Sequence, residues 1–87
     1  MDLNQLRYLL AIAQAGSLSA AAKKLRVSQP TLTVAMRRLE EELGTTLLTR
    51  DHKGVSLTST GEALRGHAEQ AVSLLDAATL QVRDLER

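Results

Sequence analysis

The chain has 87 residues and a mass of 9.4 kDa, which allows one small domain that buries about 60 to 65 per cent of its extended surface. Hydrophobic residues make up 44% and charged residues 24% of the chain, a balance that disfavours disorder and fibrous repeats. The absence of cysteine excludes a disulfide framework and a thiolate zinc site. A single aromatic residue, Tyr8, excludes stacking platforms for single-stranded nucleic acid.

The charge distribution and the hydropathy narrow the range of partners. Residues 1–59 carry eight Lys or Arg against five acids, whereas residues 60–87 carry three against five. A basic first part suits a polyanion, although ordinary scatter of surface charge explains it as well. No stretch has the roughly 18 uncharged apolar residues of a membrane helix, and residues 1–15 lack the order of a secretion signal. We therefore expect a cytoplasmic protein that does not contact a membrane.

The first two predicted elements are short helices. Asp2 is the predicted N-cap of the first, with Gln5 as its capping-box partner, and apolar residues recur at helical spacing until Gly16. Ser17 caps the second helix, which ends before Val27.

A third helix and a hairpin follow. Ser28 is the third cap, and the helix begins at Gln29 with Pro30 in its first turn, where a missing N–H costs nothing. Gly44 ends this helix. The apolar stripe of the helix steps by four, three and four: Leu32, Met36, Leu39 and Leu43. The period then changes, and residues 47–50 and 55–58 are predicted as two short strands of a hairpin.

The last predicted element is a long helix that Thr58 or Ser59 caps. A helix of about 28 residues is about 42 Å long at 1.5 Å per residue, so much of it must project from a head formed by residues 1–58. We call its apolar positions the seam, and they step by four and three over three heptads: Leu64, Ala68, Ala71, Leu75, Ala78, Val82 and Leu85.

The seam predicts a homodimer, because a projecting apolar face needs a second chain to cover it. The alternative is that the seam folds back on the chain's own head. Leu64 and Ala68 are close enough to the head for this, whereas Leu85 is not. A two-fold dimer presents two equivalent heads.

The second and third helices, joined by the tight segment 26–28, make a helix-turn-helix arrangement whose second helix suits the major groove of DNA. The hairpin is then a wing. The predicted fold class is mainly α, a winged helix-turn-helix with a three-helix core and a small β-hairpin, followed by a long dimerisation helix at residues 59–87.

The third helix presents a polar face opposite its apolar stripe. The candidate base-facing residues there are Gln29, Pro30, Thr33, Val34 and Arg37. Gln29 suits adenine, Arg37 suits guanine, and Val34 suits the methyl group of thymine. The alternative is a solvated face on which Arg37–Glu41 and Arg38–Glu42 form surface ion pairs.

Five elements stand in order along the chain: AA-x-x-L, VSQP, RRLE-x-x-LG, LL-x-R and LT-x-x-G. Through them, residues 1–65 resemble the N-terminal DNA-binding domain of the LysR-type transcriptional regulators. The resemblance implies that Gln29, Pro30 and Thr33 approach the major groove and that Lys53 on the wing approaches the minor groove. It also implies long helices that pair antiparallel in a dimer. A two-fold dimer of such heads implies an inverted-repeat DNA site, because each head reads an equivalent half-site.

The chain departs from the family's pattern at Leu18, at Leu48 and in the segment Thr33, Val34 and Ala35, where the family often has Ser followed by a basic or amide residue. The family usually has Phe at positions 18 and 48, where this chain has Leu18 and Leu48. Val34 replaces a frequent polar contact. Members of the family normally continue into an effector-binding domain, and we expect this chain to be a fragment that meets a small-molecule effector only through such a C-terminal domain.

Phosphate contacts position a protein on DNA without specifying sequence. Candidate suppliers are the hydroxyl and basic residues near the two helix starts, together with the wing: Ser17, Ser19, Lys23, Ser28, Thr31, Arg38 and Lys53. A further hypothesis from the RRLE and LL-x-R elements is an ion pair between Glu40 and Arg50 that connects the third helix to the wing.

Catalysis is disfavoured, because only His52 and His67 are near-neutral bases and nothing supplies a nucleophile with an orienting acid. We expect no cofactor and no metal. Two alternatives to a LysR-type DNA-binding homodimer stay open: a helical dimerisation or adaptor module, and a winged-helix regulator of another family. Binding that weakens steadily with salt distinguishes a DNA-binding protein from an adaptor.

Overall fold

The structure, a computed structural model, describes all 87 residues. Four helices and a two-stranded antiparallel hairpin follow one another along the chain: α1 (Leu3–Ala15), α2 (Leu18–Leu25), α3 (Gln29–Leu43), β1 (Leu48–Asp51), β2 (Gly54–Leu57) and α4 (Ser59–Leu85). This architecture confirms the predicted fold class, a winged helix-turn-helix with a long final helix.

The helix ends lie where the local sequence predicts them. Asp2 and Gln5 form the reciprocal capping box of α1, and Gly16 ends that helix in the left-handed conformation. The hydroxyls of Ser17 and Ser28 accept the N–H groups three residues further on. Arg26 ends α2 with a φ of 59°, a conformation that Gly adopts more readily, and so turns the chain sharply into α3.

The core lies where α1, α2 and α3 meet. Its largest fully buried side chains are Leu9, Ile12, Leu32, Leu39 and Leu47. The small residue Ala21 of α2 is also fully buried, which lets the neighbouring helices approach closely. Leu32, Met36 and Leu39 direct the apolar stripe of α3 into this core, whereas Leu43 at the end of the helix is 39% exposed. The face of α3 opposite the three buried residues is left to solvent.

The hairpin is shifted by one residue from its predicted bounds. Leu48 pairs with Leu57 and Asp51 pairs with Gly54. Leu47 is not part of the strand but a fully buried core residue, and its carbonyl accepts the Thr58 N–H at 2.9 Å. Thr58, one of the two predicted caps, caps α4 through its side chain.

The first half of α4 packs along α1, and the remainder projects. Arg7 of α1 donates to Asp76 of α4 at 2.9 Å, which marks the end of the packed part. The molecule is therefore elongated, with extents of 49 × 26 × 19 Å. None of the four helices combines the length and the apolar character needed to cross a lipid bilayer.

The start of the seam packs against its own chain. Ala68 is fully buried within its own chain, and Leu64 packs against the core cluster. The assignment of Ala68 to a dimer interface is therefore wrong, because its own chain covers it completely. Leu64 is half-buried, and its place in the interface stays a prediction. Ala71 is half-buried. Leu75, Ala78, Val82 and Leu85 are exposed, so the seam folds back only in its first part.

Candidate nucleic-acid interface

The helix-turn-helix positions the outer face of α3 in solvent. Four of its five predicted base-facing residues are exposed and Thr33 is half-buried. They surround two shallow depressions. One is lined by Gln29, Pro30, Thr33, Val34 and Arg37, and the other by Pro30, Thr31, Val34, Ala35 and Arg38. The structure therefore brings all five predicted residues together on one accessible face.

A cleft joins this face to the start of α2 and to the wing. Its lining includes the cap Ser17 and Ser19 at the start of α2, Gln29 from α3, and both the basic Arg50 and the acidic Asp51 from β1. Both helix starts carry hydroxyl caps, since Ser17 accepts the Ala20 N–H at 3.0 Å and Ser28 accepts the Thr31 N–H at 3.2 Å. The free N–H groups of a helix start favour an anion, so this cleft suits DNA phosphates.

Five of the seven predicted phosphate contacts lie outside this cleft: Lys23, Ser28, Thr31, Arg38 and Lys53. Arg38 belongs to the second depression of α3. Lys53 is exposed on the turn of the hairpin, beside Asp51 rather than beside α3. Lys23 is exposed on α2 and lines none of these depressions. The structure thus unites the base-facing set but distributes the basic residues around it.

The basic residues of α3 are free of carboxylate partners. The predicted surface pairs of Arg37 with Glu41 and of Arg38 with Glu42 do not form. Glu42 instead accepts hydrogen bonds from the amino terminus of Met1. Because all three acids of α3 follow Arg38 in its last part, the first part of its outer face carries positive charge alone.

The hypothesis that Glu40 pairs with Arg50 is wrong. The Oε2 atom of Glu40 accepts the N–H groups of Leu47 at 2.7 Å and of Leu48 at 3.3 Å. Leu47 precedes β1 and Leu48 is the first residue of that strand, and the carboxylate satisfies both N–H groups. Glu40 does connect α3 to the wing, but through the backbone.

Arg50 is the functional candidate that the sequence analysis missed as a DNA contact. It is exposed, forms no ion pair, and lines both the α2–wing cleft and a second cleft with Thr33 and Arg37. The signal was the LL-x-R element, which the sequence analysis assigned to a contact with Glu40.

The wing is held against the turn between α1 and α2. The N–H of Val55 donates to the carbonyl of Gly16 at 3.0 Å. Gly54 passes so close that a Cβ atom there would lie 2.3 Å from the same carbonyl oxygen, and its φ is +133°. Only glycine fits both requirements, so this contact determines where Lys53 and Arg50 stand relative to α3.

Gly54→Ala is expected to lower the free energy of unfolding by about 1 to 3 kcal/mol, since the backbone of Gly16 cannot yield as a flexible side chain would. Gly66→Ala in α4 is the matched control, because nothing lies within 4 Å of a Cβ built there. It should stabilise the protein by about 0.5 to 1 kcal/mol through helix propensity. Urea unfolding measures both variants, and equal stabilities would contradict the close approach.

The order, spacing and packing of these elements match a known family. The family model described as "Bacterial regulatory helix-turn-helix protein, lysR family" matches residues 3–62. The chain belongs to the LysR family. Within the LysR domain, α2 and α3 are the helix-turn-helix and β1 and β2 are the wing.

Curated relatives agree with this membership. The chain is 46% identical over 74 residues to the HTH-type transcriptional regulator TcbR of Pseudomonas sp. strain P51, covering 85% of this chain and 25% of TcbR. It is 44% identical over 87 residues to the regulator BudR of Klebsiella aerogenes, covering 100% of this chain and 61% of BudR. The chain thus spans a quarter of one relative and about three fifths of the other.

Solved structures of LysR-family domains superpose closely on this one. The CbnR DNA-binding domain in complex with DNA has a TM-score of 0.89 at 41% identity, with 100% of both chains covered. The BenM DNA-binding domain with catB site 1 DNA has a TM-score of 0.92 at 34% identity, covering 98% of this chain and 96% of that one. The LysR-family chain is therefore a helix-turn-helix DNA-binding domain whose relatives are transcriptional regulators, not enzymes.

Proposed function

We propose that this chain binds double-stranded DNA sequence-specifically, as a homodimer on an inverted-repeat site, within a LysR-type transcriptional regulator. The outer face of α3 lies in the major groove and reads bases through Gln29, Thr33 and Arg37. The wing and the starts of α2 and α3 contact phosphates. Such a regulator acts where bacterial DNA is, in the cytoplasm.

The observation that carries this proposal is the unpaired basic face of α3. Arg37 and Arg38 are exposed on the outer face and have no carboxylate partner. An arginine whose guanidinium is unpaired can donate hydrogen bonds to guanine or to a phosphate. Arg50 adds a third free cation between α3 and the wing. Two similar domains, those of CbnR and BenM, have been solved in complex with DNA, which supports DNA as the partner.

The projecting part of α4 supports the homodimer. Leu75, Val82 and Leu85 are 46%, 60% and 80% exposed. Leu74, 73% exposed, precedes Ala78 by four residues and therefore widens the same apolar face. An apolar face of this kind at heptad spacing is what a paired helix covers. We propose that α4 is the linker and dimerisation helix, with the head at residues 1–58 and an interface that does not include Ala68.

DNA binding is tested by selecting preferred sites from a random duplex pool and titrating salt by fluorescence anisotropy. The logarithm of the affinity should fall linearly with the logarithm of the salt concentration, because phosphate contacts release counterions. Lys53→Ala should reduce that slope by about 1 per head and weaken all sequences alike, whereas Arg37→Ala should cost about 1 to 3 kcal/mol and relax the preference at one base pair.

The control variant is His67→Ala, on an exposed position of α4 away from α3 and the wing. It should bind as the parent does. A flat response to salt, with no sequence enriched from the pool, would contradict DNA binding and favour an adaptor module.

A further inference from the structure

Val34 is an exposed apolar side chain in the middle of the base-facing surface. It is 40% exposed, whereas the apolar residues that α3 directs to the core, Leu32, Met36 and Leu39, are at most 2% exposed. Its own chain leaves this part of the side chain uncovered. A valine also supports a helix less well than Ala, Lys or Gln, so neither packing nor helix propensity accounts for this residue.

Val34 and Pro30 form a ridge between the two depressions of α3. Both residues line both depressions, and Ala35 continues the apolar surface on one side. Arg37 lies on one flank and Arg38 on the other. No carboxylate lines either depression. An apolar ridge between two free arginines is complementary to a surface that is anionic at its edges and apolar at its centre.

Thymine in a major groove offers such a surface. Its C5-methyl group is the apolar feature of a base edge, and phosphates border the groove on both sides. Val34 has neither a donor nor an acceptor, so packing it against the edge of adenine, guanine or cytosine would bury polar groups without partners. Against thymine, the same contact buries two methyl surfaces.

We propose that Val34 is a specificity-determining residue that reads the methyl group of one thymine in each half-site. The inference rests on the proposed function and adds the base that this position selects. Gln29, Thr33 and Arg37 then supply hydrogen bonds to neighbouring base pairs, while Val34 favours thymine at its own position.

Deoxyuridine tests the contact, because it keeps every hydrogen-bonding group of thymine and removes only the methyl group. In the duplex selected from the random pool, symmetry-related thymines of the two half-sites are replaced by deoxyuridine, one pair in each test duplex. The affinity for each duplex is measured by anisotropy at fixed salt. One replacement should weaken binding by about fourfold per half-site, the value of one buried methyl group. Val34→Ala should bind the thymine and deoxyuridine duplexes with nearly equal affinity.

Lys53→Ala is the matched control, since it should weaken binding to both duplexes alike and keep their ratio. Circular dichroism confirms that the exposed substitutions leave the fold intact. An enriched site at which every deoxyuridine is tolerated, or a thymine preference that persists in Val34→Ala, would overturn this inference alone. A pool that yields no enriched sequence would overturn the proposed function together with it.

Discussion

Leu75→Glu is expected to weaken binding to an inverted-repeat duplex by about 10² to 10⁴-fold. In a dimer, binding of one head holds the second head close to its half-site at a high effective concentration, and a monomer loses this advantage. Leu75 is 46% exposed in the single chain and lies on the seam just before Asp76, where the contact of α4 with α1 ends. A carboxylate there would be desolvated by a paired helix. Sedimentation velocity measures the loss of the dimer, and anisotropy measures the loss of affinity.

Ser73→Glu is the matched control for this substitution. It adds the same charge at an exposed position two residues away, on the opposite side of α4 from the seam. This variant should remain dimeric and bind DNA as the parent does. A monomeric Leu75→Glu variant with full affinity would refute the coupling between pairing and binding, and a Leu75→Glu variant that stays dimeric would refute the position of the interface.

Glu40→Ala is expected to lower the free energy of unfolding by about 2 to 3 kcal/mol. The substitution leaves the N–H groups of Leu47 and Leu48 without their acceptor in a part-buried site, and an unmade hydrogen bond of this kind costs about 1 to 3 kcal/mol. For a domain of this size the melting temperature should fall by about 10 to 20 °C. Thermal unfolding followed by circular dichroism measures the change.

Two further variants isolate the cause. Glu41→Ala removes a neighbouring carboxylate that is exposed and makes no hydrogen bond, so the free energy of unfolding should stay within about 0.5 kcal/mol of the parent. Arg50→Ala should also leave the stability unchanged while lowering the affinity for DNA. If Arg50→Ala lowered the melting temperature as much as Glu40→Ala does, the result would support an ion pair between Glu40 and Arg50 and contradict the backbone contact.

Features that depend on neighbouring residues in the sequence were predictable. The caps at Asp2, Ser17 and Ser28 and the left-handed ends at Gly16 and Gly44 were all identified, because a cap bonds to N–H groups only two or three residues away. The polar face of α3 followed in turn, since an apolar stripe fixes which side of a helix faces the core.

Features that depend on packing between distant segments were not predictable. Glu40 could reach either a cation or the backbone, and only the packing of α3 on the wing decides between them. Arg7 and Asp76, which mark where α4 leaves the head, are 69 residues apart. Gly54 and Gly16 likewise lie in distant parts of the sequence, and no sequence pattern predicts that Gly54 packs against the carbonyl of Gly16.

The central claim, that the outer face of α3 enters the major groove twice on one duplex, is tested most directly by site-specific photocrosslinking. The chain has no cysteine, so Thr33→Cys provides a single attachment point for a short azidophenacyl group. Asn4→Cys, at an exposed position of α1 away from the interface, is the control. Crosslinked bases are then mapped on both strands of the selected duplex.

We expect crosslinks from position 33 to two symmetry-related positions, one in each half-site, and none from position 4. Crosslinks from position 4 with none from position 33, or crosslinks from position 33 to a single place on the duplex, would contradict the central claim.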